Sequence, residues 1–326
     1  MASIPANIFK LMLRLGVKRD ISDPKKLVRH LRRVMNAPLT PSLLPRGIRL
    51  RHAHVAGVPG QWLSTPDPVV TVLYLHGGAF IGGRLETYHH FCGQLAKALN
   101  ARVFLTDYRL APEHPYPAAT DDALQVYGKL LDDPRPIVIA GDSAGGNLTL
   151  VTLLRARDLA LPMPACALAI SPASDARGEL KSRHENSNSD AMLSRCMIDG
   201  ATKIYLDGAD PKQPYASPCL GNYTGLPPLM LTVSTEECLR DDTYVVAQRA
   251  RQAGISLQLL ERKDMPHVWP VFTFLLPEAK RDFGIIVAFL RRNMTTASNM
   301  HSPIKTHIVE CEGVATAVMT QRNPHS

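Results

Sequence analysis

The chain has no apolar run near the ~20 residues that would cross a bilayer, and no paired C-x-x-C, no H-E-x-x-H and no G-x-x-x-x-G-K. The first absence excludes a helical membrane protein. The others remove the usual zinc-ribbon, zinc-protease and nucleotide-cradling signatures, so neither metal nor organic cofactor is expected. The six cysteines (Cys92, Cys166, Cys196, Cys219, Cys238 and Cys311) stand singly, which fits a reducing cytoplasm better than a disulfide framework. No secretory signal is expected either, because Lys10 and Arg14 interrupt the first apolar stretch. His89 and His90 are adjacent, and on a helix adjacent side chains diverge, so they read as a solvated surface pair and not as metal ligands. No internal repeat is visible, and nothing points to nucleic acid.

What is present is ordinary for a globular chain: 326 residues, 45% hydrophobic and 20% charged, enough for one large domain with additions. The net charge of +8 is concentrated at the start, with no acid before Asp20. A basic amphipathic start suits an anionic membrane or a transit sequence. The reading adopted is a solvated basic face with no stable membrane insertion.

From residue 69 onward apolar strands alternate with helical stretches. Strands are expected at 69–75, 102–106, 137–140, 165–171, 229–234 and 256–260, and helices at 86–99, 118–131, 146–159, 241–253 and 277–292. This alternation predicts an α/β fold, a mostly parallel central sheet flanked by helices. Two segments fall outside it: 1–50, and an insertion at 175–226 within a main domain of 51–295. Residues 296–326 lose periodicity and read as a poorly packed tail.

The most informative stretch is Gly141-Asp142-Ser143-Ala144-Gly145-Gly146. An apolar strand precedes it and a helical run follows. Strand, G-x-S-x-G, helix is the context of a nucleophile elbow, in which small residues flank a serine held up at a helix start. A second Gly-rich segment, His76-Gly77-Gly78-Ala79-Phe80, follows another strand. Glycines there let backbone N–H groups turn inward to stabilise developing negative charge.

A nucleophilic serine needs a base, and the base an orienting acid; Ser, acid, His is one established chain order. Of the histidines after Ser143, His184 lies in a polar stretch with no strand before it. His301, His307 and His325 lie in the tail. His267 follows a late strand on a short loop and is the candidate base. The loop after 229–234 offers Glu236, Glu237, Asp241 and Asp242, and spacing does not choose among them. Glu236 and Asp242 read as solvated charges at a helix start.

These segments, together with Asp107-Tyr108-Arg109-Leu110-Ala111-Pro112-Glu113-His114-Pro115-Tyr116-Pro117-Ala118-Ala119, resemble the hormone-sensitive-lipase-like esterases of the α/β-hydrolase fold. The resemblance covers roughly residues 55–292. It implies Ser143 as nucleophile, His267 as base and Glu237 as acid, with Asp241 the second choice because the family usually has Asp before Pro-Leu. It implies oxyanion donors from Gly77, Gly78, Ala79 and Ala144, with Ala79 standing where the family has a third glycine. Asp142 and His76 would be supports, and Glu113 and His114 would brace the loop. The two outlying segments would form a helical cap. Ile8, Phe9, Met12, Leu13 and Leu15 either line its inner face or pack on the main domain.

The resulting expectation is a serine carboxylesterase for short to medium acyl chains, working through an acyl-enzyme on a small-molecule ester. Alternatives are an amidase, deacetylase or lactone hydrolase with the same triad, or a non-catalytic small-molecule receptor, as plant gibberellin receptors resemble this family. Retention of Ser143, His267 and an acid loop argues against the receptor. A homodimer is left open.

Overall fold

A computed structural model describes residues 2–36 and 44–300, with side chains as far as 294. Two helices open the chain, α1 (Ile4–Gly16) and α2 (Pro24–Met35). Each begins with proline in its first turn and a capping side chain before it: Ser3 accepts from the Ala6 N–H, and Asp23 from the Lys26 N–H. A hairpin follows, β1 (Arg49–Val55) and β2 (Val58–Ser64), then β3 (Val70–Leu75), α3 (His89–Leu99), β4 (Ala101–Thr106) and α4 (Ala118–Leu130). Next come β5 (Ile137–Asp142), α5 (Ala144–Asp158), β6 (Cys166–Ile170), the single turn α6 (Ser182–Glu185) and α7 (Arg195–Leu206). The chain continues through β7 (Leu229–Ser234), α8 (Arg240–Gln252), β8 (Leu257–Arg262) and α9 (Pro277–Met300).

The eight strands form one sheet in the order β1-β2-β4-β3-β5-β6-β7-β8. Pairing is parallel from β4 to β8 and antiparallel within the opening hairpin and between β2 and β4. The inner strands read as continuous apolar runs because both faces are covered. In β3, Leu73 and Leu75 enter one core with residues of α2, α4, α5, α7 and α8. Val70, Val72 and Tyr74 enter the other, with residues of α1, α3 and α9.

All six expected strands and all five expected helices are present, and α9 runs on to Met300, past the predicted end at 292. The rest of the proposed tail, with Cys311, His301, His307 and His325, lies outside the described residues. The hairpin β1–β2 was not expected. Four of the first residues of β1 are exposed, so it lacks an apolar run, and its turn is Ala56-Gly57, both at positive φ, without the Asn-Gly signal. The histidine pair is also corrected: His89 is buried and its Nε2 lies 2.6 Å from Gln61 Oε1, while His90 meets the Phe274 ring edge-on.

The N-terminal segment packs in two places. Phe9 and Leu13 of α1 are buried on the main domain, with Phe9 edge-on to Phe272 at 4.8 Å. Ile8, Met12 and Leu15 do neither of the things expected of them; they face outward. Helix α2 buries Leu27 and Leu31 against α7, and Leu27 fills the space a side chain at Gly200 would need. The basic residues are not simply a solvated face. Lys18 donates to the carbonyls of Ser187 (2.5 Å) and Asp190 (2.7 Å), and Arg14 to those of Asn188 and Ser189. Arg32 spans α2 and the main domain, donating to the Ile81 and Ala111 carbonyls and pairing with both oxygens of Glu113. Glu113 therefore braces as expected, whereas the His114 side chain is exposed. Because Leu27 is fully buried at the α2–α7 contact, Leu27→Ala is expected to cost about 2–5 kcal/mol in urea unfolding, or to melt α2 alone; an unchanged midpoint and unchanged proteolysis of α2 would contradict this packing.

Candidate active site

The site lies at the carboxyl ends of the parallel strands, where loops after β3, β5, β7 and β8 converge. Ser143 sits between β5 and α5 with φ 54° and ψ −116°, a conformation disfavoured for any side chain. It is held there by the close approach of its neighbours. A Cβ at Gly145 would lie 1.9 Å from the Leu75 carbonyl oxygen, and one at Gly141 would lie 2.3 Å from the Gly145 carbonyl oxygen. Only glycine fits at either position.

His267 reaches the serine from the loop after β8. Its Nε2 is 2.9 Å from Ser143 Oγ, and its Nδ1 is 2.5 Å from Glu237 Oε2. His267 and Glu237 are both almost fully buried. The other carboxylate oxygen, Glu237 Oε1, accepts from the Ser234 N–H at 2.8 Å and the Ser171 hydroxyl at 3.0 Å. Burial pulls the His267 pKa down, but the hydrogen bond and charge of Glu237, with Asp190 and Asp142 beyond, outweigh it and leave it above its ordinary value.

The remaining carboxylates of the acid loop go elsewhere. Asp241 accepts from the Ser182 N–H at 2.9 Å and pairs with Arg240. Asp242 is not solvated. It is fully buried, accepts from the Ser174 and Asp175 N–H groups at 2.7 and 2.8 Å, and lies 3.6 Å from Arg183. Burial pushes its pKa up to about 7.

The Gly-rich loop after β3 lies beside Ser143. Its first amide is already engaged: Gly77 N–H donates to Asp142 Oδ1 at 3.0 Å, so Gly77 is not a free donor as the sequence suggested. The amides of Gly78, Ala79 and Ala144 have no partner among the described residues. Asp142 also accepts from the Tyr74 and Tyr88 hydroxyls, and burial pushes its pKa up to about 6 despite those donors. His76 is buried, which lowers its pKa to about 4 and keeps it neutral. Its Nδ1 lies 2.7 Å from the Gly77 carbonyl, so that nitrogen carries the proton, and its ring stacks on Tyr108 at 4.3 Å. Both act as supports.

A small apolar cavity of about 60 Å³ opens on Ser143 and is walled by Leu31 and Met35 of α2, Met197 and Ile198 of α7, and Leu239. Larger surface concavities, one of about 500 Å³ around His52, His54 and Asp107, do not include Ser143. Among the described residues no group of three or more His, Cys, Asp or Glu side chains is placed to hold a metal ion.

Three site residues escaped sequence reading. Asn186 donates to the Thr235 and Glu237 carbonyls, Asp190 accepts from the Cys238 N–H at 2.8 Å, and Ser171 holds Glu237. Asn186 and Asp190 lie in a polar run that has no periodicity and looks like any loop. His184, dismissed as a base, is exposed.

This arrangement meets known proteins at the level of sequence as well. Residues 72–271 match the α/β-hydrolase fold family. The chain belongs to that family. Within it the hormone-sensitive-lipase-like resemblance holds: a solved esterase from the bacterial hormone-sensitive lipase family is 33% identical with a TM-score of 0.79, over 90% of this chain and 100% of that chain. A crystal structure of an esterase/lipase from an uncultured bacterium is 36% identical with a TM-score of 0.83, over 90% and 100%. An acetyl-hydrolase of Streptomyces hygroscopicus is 39% identical over 224 residues, 68% of this chain and 75% of that one.

In this α/β-hydrolase Ala79 adopts φ 55°. Left-handed geometry costs a residue with a Cβ about 1–2 kcal/mol, and glycine returns about 0.5–1 kcal/mol of that as unfolded-state entropy. Ala79→Gly is therefore expected to raise stability by roughly 0.5–1 kcal/mol in denaturant unfolding; a loss of stability would show that the Ala79 methyl packs favourably.

Proposed function

We propose that this chain is a serine carboxylesterase for short acyl esters, with Ser143, His267 and Glu237 as its triad. The observation that carries the reading is the unbroken chain from Glu237 Oε2 through the His267 ring to Ser143 Oγ, at 2.5 and 2.9 Å, ending beside three unpaired amides. Ser143 Oγ attacks the ester carbonyl while His267 Nε2 takes its proton. Glu237 stabilises the imidazolium and fixes the tautomer with the proton on Nδ1. The oxyanion is held by the N–H groups of Gly78, Ala79 and Ala144. His267 then protonates the leaving alcohol, and a water activated by the same base hydrolyses the acyl-enzyme.

The substrate class rests on the cavity and on the relatives. The cavity has nearly no polar lining and room for only a few carbons, and part of its wall comes from the segments 1–50 (Leu31, Met35) and 175–226 (Leu193, Met197, Ile198), which we assign as a cap that shapes the acyl site. One solved relative is named an esterase, and another relative is named for removal of acetyl, a short acyl group. The partner is a small-molecule ester. A cytoplasmic setting belongs to the proposal; the five cysteines among the described residues are free thiols, and no helix there is long and apolar enough to cross a membrane.

Hydrolysis of p-nitrophenyl esters from acetate to laurate, with wild type and Ser143→Ala in parallel, tests the function. Activity should be highest on acetate to butyrate, fall steeply beyond, and vanish in the variant; a folded wild type without esterase activity would overturn the reading. The acid is tested separately. Glu237→Gln should lower kcat by about 10²–10⁴. It also removes the charge that raises the His267 pKa, so the acid limb of the kcat/KM profile should move to lower pH. Asp241→Asn should leave both within a few-fold of wild type; the opposite ranking would assign the acid to Asp241.

A further inference from the structure

Helix α1 is apolar on two opposite sides. At 3.6 residues per turn, Ala6, Phe9 and Leu13 share one face, and these residues are buried on the main domain. Ile4, Ile8, Leu11, Met12 and Leu15 share the face turned away from it, and they are 76, 55, 57, 63 and 64% exposed. Of the nine large hydrophobic residues exposed among the described residues, these are five, on one helix of 13 residues. A contiguous outward apolar stripe is unusual for a surface helix, whose outer face is ordinarily polar.

The charge of the N-terminal segment says what kind of surface the stripe suits. Residues 1–36 hold nine basic and two acidic side chains, which accounts for seven of the eight units of net charge. Lys10 and Arg14 lie along one edge of the stripe, Arg14 also donating to the Asn188 and Ser189 carbonyls, and elsewhere in the segment Lys25, Lys26, Arg29 and Arg33 of α2 are exposed. The helix is too short to span a bilayer and is fixed by its buried face, so it can only lie along a surface. A symmetric self-association through α1 would bring two such basic patches together, at an electrostatic cost.

We propose that the outer face of α1 is a docking surface for an anionic lipid bilayer, on which the enzyme rests reversibly with Ile4, Ile8, Leu11, Met12 and Leu15 entering the headgroup boundary. The apolar stripe supplies the burial and the basic residues the attraction, each basic side chain contributing roughly fivefold in affinity near such a surface. Binding is salt-sensitive and needs no catalysis, so this inference is independent of the esterase assignment.

The test is co-sedimentation of the full-length protein with vesicles of phosphatidylcholine alone and of phosphatidylcholine mixed with phosphatidylglycerol, at low and high salt. The wild type should bind the mixed vesicles at least about tenfold more tightly than the neutral ones, and high salt should release it. The double variant Leu11→Glu, Leu15→Glu should lose at least about tenfold in binding, with an unchanged melting curve and unchanged hydrolysis of a soluble short ester. Failure of the wild type to bind mixed vesicles, or equal binding by the variant, overturns the proposal. So does a wild-type dimer in solution that the variant converts to monomer, since the stripe would then be a self-interface.

Discussion

The close contact between the start of α5 and the end of β3 governs the site. With no Cβ at Gly145, the helix comes within contact distance of the Leu75 carbonyl, and Ser143 is forced into its strained turn. The same contact brings the loop after β3 against the serine. That loop is then pinned from below, because Asp142, the residue before Ser143, accepts the Gly77 N–H. Ser143 and the amide loop are thus positioned by one joint. The strain at Ser143 is offset by packing in two cores that cover both faces of the sheet.

Glu237 is held by a different device. Glu237 follows β7, but its loop is fixed from outside the sheet by the insertion at 175–226. Asn186 takes the Thr235 and Glu237 carbonyls, Asp190 takes the Cys238 N–H, and Ser182 donates to the Cys238 carbonyl. The insertion is in turn stitched to α1 by Lys18 and Arg14. Segments that help wall the cavity on Ser143 therefore also set the position of the carboxylate beside His267. Three of the nine basic side chains of residues 1–36, Arg14, Lys18 and Arg32, bond across these contacts, and the apolar outward stripe of α1 stands apart from them.

Much of this was legible in the chain. The inner strands β3, β5, β6 and β7 are short apolar runs, and burial on both faces makes such runs conspicuous. The serine turn carries its own signature because its geometry demands glycine at fixed positions. His267 was singled out by its place after a late strand. The hairpin β1–β2 was illegible because an exposed edge strand need not be apolar. Asp242 was misread for a related reason: a carboxylate at a helix start is usually solvated, and only packing against Ser174, Asp175 and Arg183 shows otherwise.

By itself, then, the sequence determined the succession of strands and helices from β3 onward, the glycine-flanked turn at Ser143, the loop that carries His267 and a loop of four carboxylates. These are local features, set by hydrophobic period and by the φ,ψ space open to glycine. The tertiary structure decided which carboxylate meets His267, which amides beside Ser143 stay unpaired, and which side of α1 is covered. Those depend on where a side chain or N–H points once distant segments are packed together, and a hydrogen bond formed across tens of residues leaves no periodic trace in the chain.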